Sequence, residues 1–281
     1  MASSEMTAQM SAPLAAPAWS TQLVTTVSQM MRYRALLWAL VIRHLAIRYR
    51  GSMLGFLWSF LNPLCLMLVY VLVFKYYIRF NQVEHYTVFM FCGLLPWIWV
   101  TSALSEGTSA VVGGGHLITK SMFPPQILPT VSVLTSMINF LLSLPLLVIF
   151  MLGSGIPLPW TVLLLPFVVV GQALFLLGIV WALSALNVFF RDVQHIVGNL
   201  LSFLFFLCPI VYPASVVPPR FAPLLHLNPL SLLTQFYHQI LIDGVVPDAW
   251  SVGYFTVVTA LVLVAGSMIF QRYREHFAEF L

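Results

Sequence analysis

The stretch closest to catalytic machinery is "GGHLITKS", Gly114 to Ser121. A phosphate-cradling loop reads G-x-x-x-x-G-K-[ST]; its glycines let backbone close on phosphate while the lysine reaches forward. Gly114, Lys120 and Ser121 fall in register, but Thr119 stands where the second glycine belongs. A working loop follows a buried strand. Here the preceding residues are "SALSEGTSAVVG", the exit of an apolar run, and no Walker-B-like strand ending in Asp occurs. The match reads as chance, and the chain is expected not to hydrolyse ATP.

Other catalytic patterns are missing too. Glu106 and Asp192 fall at one end of their apolar runs and Asp243 and Asp248 at the other, so no carboxylates pair by sequence. The histidines are scattered without H-E-x-x-H spacing. Cys65, Cys92 and Cys208 lie in apolar stretches without C-x-x-C spacing and read as small hydrophobes.

What remains is a chain built for lipid. Of 281 residues, 60% are hydrophobic and only 7% charged, and mean hydropathy is +0.97. Soluble domains carry roughly a quarter charged residues. Runs long enough to cross a bilayer, about 20 residues each, recur along the chain. The expected fold is all-α, a polytopic membrane protein with six spans near 56–78, 88–104, 127–152, 162–188, 196–211 and 252–270. Residues 1–29 carry no Lys or Arg and read as a disordered tail, not a signal peptide. Residues 30–281 form the membrane domain.

The bases orient it. With both termini cytoplasmic, Arg32, Arg34, Arg43, Arg48, Arg50, Lys120, Arg191, Arg272 and Arg274 fall inside, leaving Lys75, Arg79 and Arg220 of the twelve outside. That split follows the positive-inside rule. The net charge of +4 therefore marks topology, not a nucleic-acid face. "MRYRALLWALVIRHLAIRYRG", ahead of the first span, is too rich in arginine to cross. It reads as an amphipathic helix over 31–50 in the membrane interface, or as a basic tether for membrane lipid. Between spans five and six, "LSLLTQFYHQILI" is too short to span. Two short helices broken at Pro229 and dipping into the outer leaflet fit it better.

On the first span Phe56, Phe60, Pro63, Met67, Tyr70, Phe74 and Tyr77 recur at steps of four and three, forming one stripe. Further rings crowd the fifth span at Phe203, Phe205 and Phe206. Flat aromatic faces could guide a sliding sugar polymer. Ordinary helix packing and interfacial aromatic belts would produce the same stripe.

"RYRGSMLGFLWSFLNPL", "GLLPWIWVTSALSEGTSAVVGGGHLITKSMFPPQILP" and "LNPLSLL" occur in that order. They resemble type-2 ABC exporter permeases, in particular the O-antigen and wall teichoic acid branch. The resemblance implies a homodimer in the cytoplasmic (inner) membrane, bound to two ABC ATPase subunits that hold ATP and Mg²⁺, with no cofactor in this chain. The cargo it implies is a polysaccharide on undecaprenyl diphosphate. Phe56, Phe60, Met67, Tyr70, Phe74, Tyr77, Phe203 and Phe206 would line the channel. Arg43 and Arg48 of the interface helix, with His116, Leu117, Lys120, Met122 and Phe123 of a coupling helix, would dock the ATPase. Pro229, Phe236 and Tyr237 would belong to external re-entrant gate helices. Two other classes stay open: a same-fold exporter of a small lipid or drug, and a membrane-embedded glycan-transferring enzyme. The enzyme needs paired carboxylates for Mg²⁺.

The purified chain is expected to show no saturable ATP turnover above a buffer blank. Turnover that Lys120→Ala abolishes would overturn the chance reading of the loop.

Overall fold

The structure, a computed structural model, describes residues 28–79, 83–120 and 124–281. Met122, Phe123 and residues 1–27 of the expected tail lie outside the described residues. Among the described residues every regular element is helical. Helix α1 (Arg34–Tyr49) leads into a 3-10 turn and α2 (Trp58–Val71), which widens into a π-helical turn at Leu72–Tyr77. Then follow α3 (Tyr86–Gly113), α4 (Gly115–Lys120), α5 (Ile127–Gly153), α6 (Leu165–Phe189) and α7 (Val193–Leu207). Next come α8 (Ala222–Leu227), α9 (Pro229–His238), α10 (Ala249–Tyr273) and α11 (Phe277–Phe280).

Five helical stretches are long and apolar enough to cross a membrane: Gly55–Tyr77, Tyr86–Gly113, Ile127–Gly153, Trp160–Phe189 and Ala249–His276. The expected fifth span needs correction. It was placed to Val211, but α7 stops at Leu207, about 22 Å of helix at 1.5 Å per residue. The cause is Pro209, which disfavours helical backbone at Cys208; that residue turns extended, with φ −91° and ψ 145°. The expected second span ended at Leu104, whereas α3 runs on to Gly113 and carries Glu106 with it.

The core is one helix with others around it. In α3, 78% of the apolar stretch is buried, against 33% or less in each of the other four. It packs against α2, α5, α6, α7 and α9. Helix α1 buries Val41 completely against Ile127 and Val131 of α5, with Leu37 and Leu45 alongside. It leaves Trp38, Ile42 and Ile47 exposed. One helix face thus binds protein and another offers apolar side chains outward, as an interfacial helix requires.

Helices α6 and α10 pack backbone to backbone. A Cβ on Gly266 would lie 1.9 Å from the Gly178 carbonyl oxygen, and one on Gly178 would lie 2.7 Å from Leu263 backbone. Lipid tails give helices no hydrophobic reason to associate, so small residues that permit close approach carry the contact. Gly113, by contrast, has open space where a Cβ would go. Gly266→Ala is expected to cost about 3 kcal/mol through overpacking and to lower the melting temperature in detergent. Gly113→Ala should leave melting near wild type. Equal melting of the two variants would contradict the close contact.

Candidate functional site

The loop that mimics a phosphate site is a short helix between two long ones. No strand precedes it: α3 ends at Gly113, and α4 begins at Gly115. Its position is fixed from three sides. Leu128 of α5 crowds Gly114, Leu281 lies 3.3 Å from where a Gly115 Cβ would be, and α11 packs against α4. Beneath it Val111, Trp181, Val188, Phe270 and Phe277 form a buried cluster that also takes Ile118. Leu117 is half-buried while His116 is exposed. Lys120 is the last residue of α4; Met122 and Phe123, expected to act with it, fall outside the described residues. The arrangement presents a small stiff segment joined to the ends of α3 and α5.

Arg48 forms an ion pair with Glu106 near the end of α3, and His44 Nε2 lies 3.5 Å from the other Glu106 oxygen. This pairing ties α1 to α3, so the Arg48 charge is partly engaged inside the subunit. Arg43 is exposed on α1. Sequence reading found Arg48 but not its partner, because 58 residues separate the two.

The stripe on α2 divides. Met67 is only 1% exposed and packs in the core. Tyr70 and Phe74 are half-buried against that core, and the Tyr70 ring lies 5.1 Å from Phe205 of α7. Phe60 is half-buried with its edge on Phe56 at 5.7 Å. Phe56 and Tyr77, at the two ends, are exposed, as are Phe203 and Phe206 on α7. So the fold brings the middle of the stripe inward and leaves Phe203 and Phe206 of α7 outward.

The expected pair of short helices is present as α8 and α9, broken at Asn228-Pro229. Asn228 caps α9: its Oδ1 accepts from the Leu230 N–H at 3.0 Å, and Pro229 takes the first helical position, where no N–H is needed. Phe236 and Tyr237 do not face outward; both are buried. The Tyr237 hydroxyl donates to Gln172 Oε1 at 2.8 Å, and Gln172 Nε2 donates to the Pro96 carbonyl at 3.1 Å. Histidine 238 stacks on Phe89 at 4.1 Å and reaches its carbonyl at 3.1 Å. Helix α9 is therefore hydrogen-bonded into α3 and α6. Gln172 is a polar residue alone in an apolar run, with no sequence signal to reveal its partners.

Beyond α9 the charges are solvent-side. Asp248 caps α10, accepting from the Ser251 N–H at 2.8 Å, which holds its carboxyl below the usual range. Partial burial pushes Asp243 up.

Long apolar helices around a buried central one, with a docked short helix at one end and a broken pair at the other, define a multi-pass membrane protein. The chain belongs to the ABC-2 type transporter family, whose model matches residues 35–242. It is 44% identical to the O-antigen export system permease protein RfbA of Myxococcus xanthus, over 92% of this chain and 99% of that protein. An RfbA of Klebsiella pneumoniae is 32% identical over 85% of this chain and 92% of its own. The polysialic acid transport protein KpsM of Escherichia coli is 21% identical over 84% of this chain. Permeases of this family rely on a partner ATPase, which agrees with the chance reading of the phosphate-like loop.

Tyr237→Phe leaves Gln172 short of a donor and is expected to cost about 1–2 kcal/mol. Tyr254→Phe, which loses a bond to the Leu227 carbonyl at the exposed end of α10, serves as the comparison. Thermal melting in detergent checks this; an undisturbed Tyr237→Phe melt would mean the network does not hold α9.

Proposed function

We propose that the chain is the permease subunit of an ATP-driven exporter that moves O-antigen, or a similar lipid-linked polysaccharide, across the inner membrane. The carrying observation is the match to O-antigen export permeases over nearly the whole of both chains. In this reading the membrane is crossed six times, with α7 completing the fifth crossing together with the turn residues after it. Both termini face the cytoplasm, which is supported by nine of the twelve Lys and Arg residues falling on that side.

The working unit is a homodimer with two ATPase subunits, which supply ATP and Mg²⁺. One subunit has too few helices to enclose a sugar chain, so the channel belongs at a two-fold interface. Rings that are exposed in the single subunit are available to wall it, and Phe203 and Phe206 on α7 meet that condition. Weak contact at many sites lets a polymer pass without being trapped. Helix α4 would carry the motion of the ATPase to the ends of α3 and α5. The α8–α9 pair would close the outer mouth, with α8 the mobile half because α9 is fixed by Tyr237 and His238.

Deleting the gene should remove surface polysaccharide and leave lipid-linked glycan inside the cell. Phe203→Ala with Phe206→Ala should cut surface polysaccharide by about thirtyfold, at about 1 kcal/mol per ring, while dimer and ATPase binding persist. Surface polysaccharide unchanged by the deletion sinks the functional reading. Normal export by the double variant moves the channel wall elsewhere.

A further inference from the structure

A cavity of about 260 Å³ lies between α2, α3 and α5, at the end of the bundle where Arg48 meets Glu106. Its lining is unusual for lipid depth. Asn62 comes from α2, Ser102 from α3, and Ser136 and Asn139 from α5. Pro63 lacks the N–H that would bond the Ser59 carbonyl inside α2, and the Ser143 hydroxyl donates to that carbonyl at 3.3 Å instead. Ser136 is 2% exposed, and its Oγ finds no hydrogen-bond partner among the described residues. Trp99 and Phe140 line the same cavity as a stacked pair, rings 5.3 Å apart.

A polar group left unpaired inside a membrane protein costs free energy, and intramembrane polar residues generally mark a ligand path. The chemistry here is specific. Hydroxyls and amides offer both donors and acceptors, and no carboxylate lines the cavity. That set suits a neutral, hydroxyl-rich group and gives a cation nothing to neutralise it. The aromatic pair adds a flat apolar wall, on which a sugar ring packs its axial C–H bonds. Pockets for drug-sized ligands run about 300–1,000 Å³, so this one admits one ring and not a polymer. The lining carries one charge, the Arg48 guanidinium, which Glu106 engages in part, leaving one face for an anion.

We propose that this cavity holds the single sugar ring next to the phosphate of the lipid carrier, with that phosphate facing Arg48; this rests on the glycan-export reading above. Asn62, Ser102, Ser136 and Asn139 bond the ring hydroxyls, and Trp99 with Phe140 supports its face. The site reads the first sugar, so it sorts glycosylated carrier from bare carrier before any polymer enters the channel.

The test uses the purified permease–ATPase complex in nanodiscs and two radiolabelled probes. One is undecaprenyl diphosphate bearing a single neutral hexose, and the other is undecaprenyl diphosphate alone. The wild type should bind the glycosylated probe at least about tenfold more tightly, as expected where buried polar groups await a ligand hydroxyl. Ser136→Leu, which fills the cavity, should bring the two affinities within about twofold. Ser136→Ala, which removes only the hydroxyl, should fall between and carries the test should the leucine variant not assemble. Binding of the bare probe reports that each variant is folded. A wild type without preference, or serine variants that keep the full preference, overturns the assignment. If either occurs while gene deletion still abolishes surface polysaccharide, the exporter reading stands and only the cavity assignment falls.

Discussion

A helix enclosed by other helices cannot turn to lipid or water for its needs, and α3 meets this constraint through polar contacts delivered by its neighbours. Gln172 of α6 bonds the Pro96 carbonyl and is itself bonded by Tyr237 of α9, so one chain of contacts joins three elements. Irregular backbone at membrane depth survives only where protein surrounds it. The break between α8 and α9 rests on the turn after α7, where the Asn228 amide reaches Cys208 Sγ at 3.6 Å, and the π-helical turn at Gln239–Asp243 rests on Thr161, whose hydroxyl donates to the Ile240 carbonyl at 2.6 Å. The peripheral helices then need only one protein face each.

At the other end of the bundle the same helix links the two elements suited to meet a partner. Helix α1 reaches it through the ion pair of Arg48 with Glu106, and α4 continues directly from its end. Arg48, on the rim of the polar cavity, is thus held by the same helix that α4 follows. Helix α11 adds a second hold, with Phe277 buried under α4 and its ring 5.4 Å from Phe270. These contacts make the short helix part of a rigid floor.

Hydropathy made the crossings legible because lipid imposes a length and a composition that any single sequence must show. The broken helix pair was legible at Asn228-Pro229 for a similar local reason, since a cap and a proline act on their own neighbours. Burial was not. The periodic stripe on α2 fixed which residues share a face, yet not what that face meets within the chain, where Met67 and Tyr70 pack on the core. The apolar run of α9 likewise did not reveal that Phe236 and Tyr237 are buried. Gln172 is isolated in an apolar run, while Glu106 and Ser136 sit among small hydroxyl residues; in all three cases the meaning arises only when distant helices bring partners or a cavity to them.

The glycine contact between α6 and α10 has a mechanical consequence. Two rods that touch through backbone cannot shear past one another, because sliding by even one residue drives a side chain into a peptide group. Helices α2 and α7 meet α3 through side chains such as Met67, Tyr70 and Phe205, which can change rotamer. The subunit thus has a keel on one flank and a more pliable hull on the other.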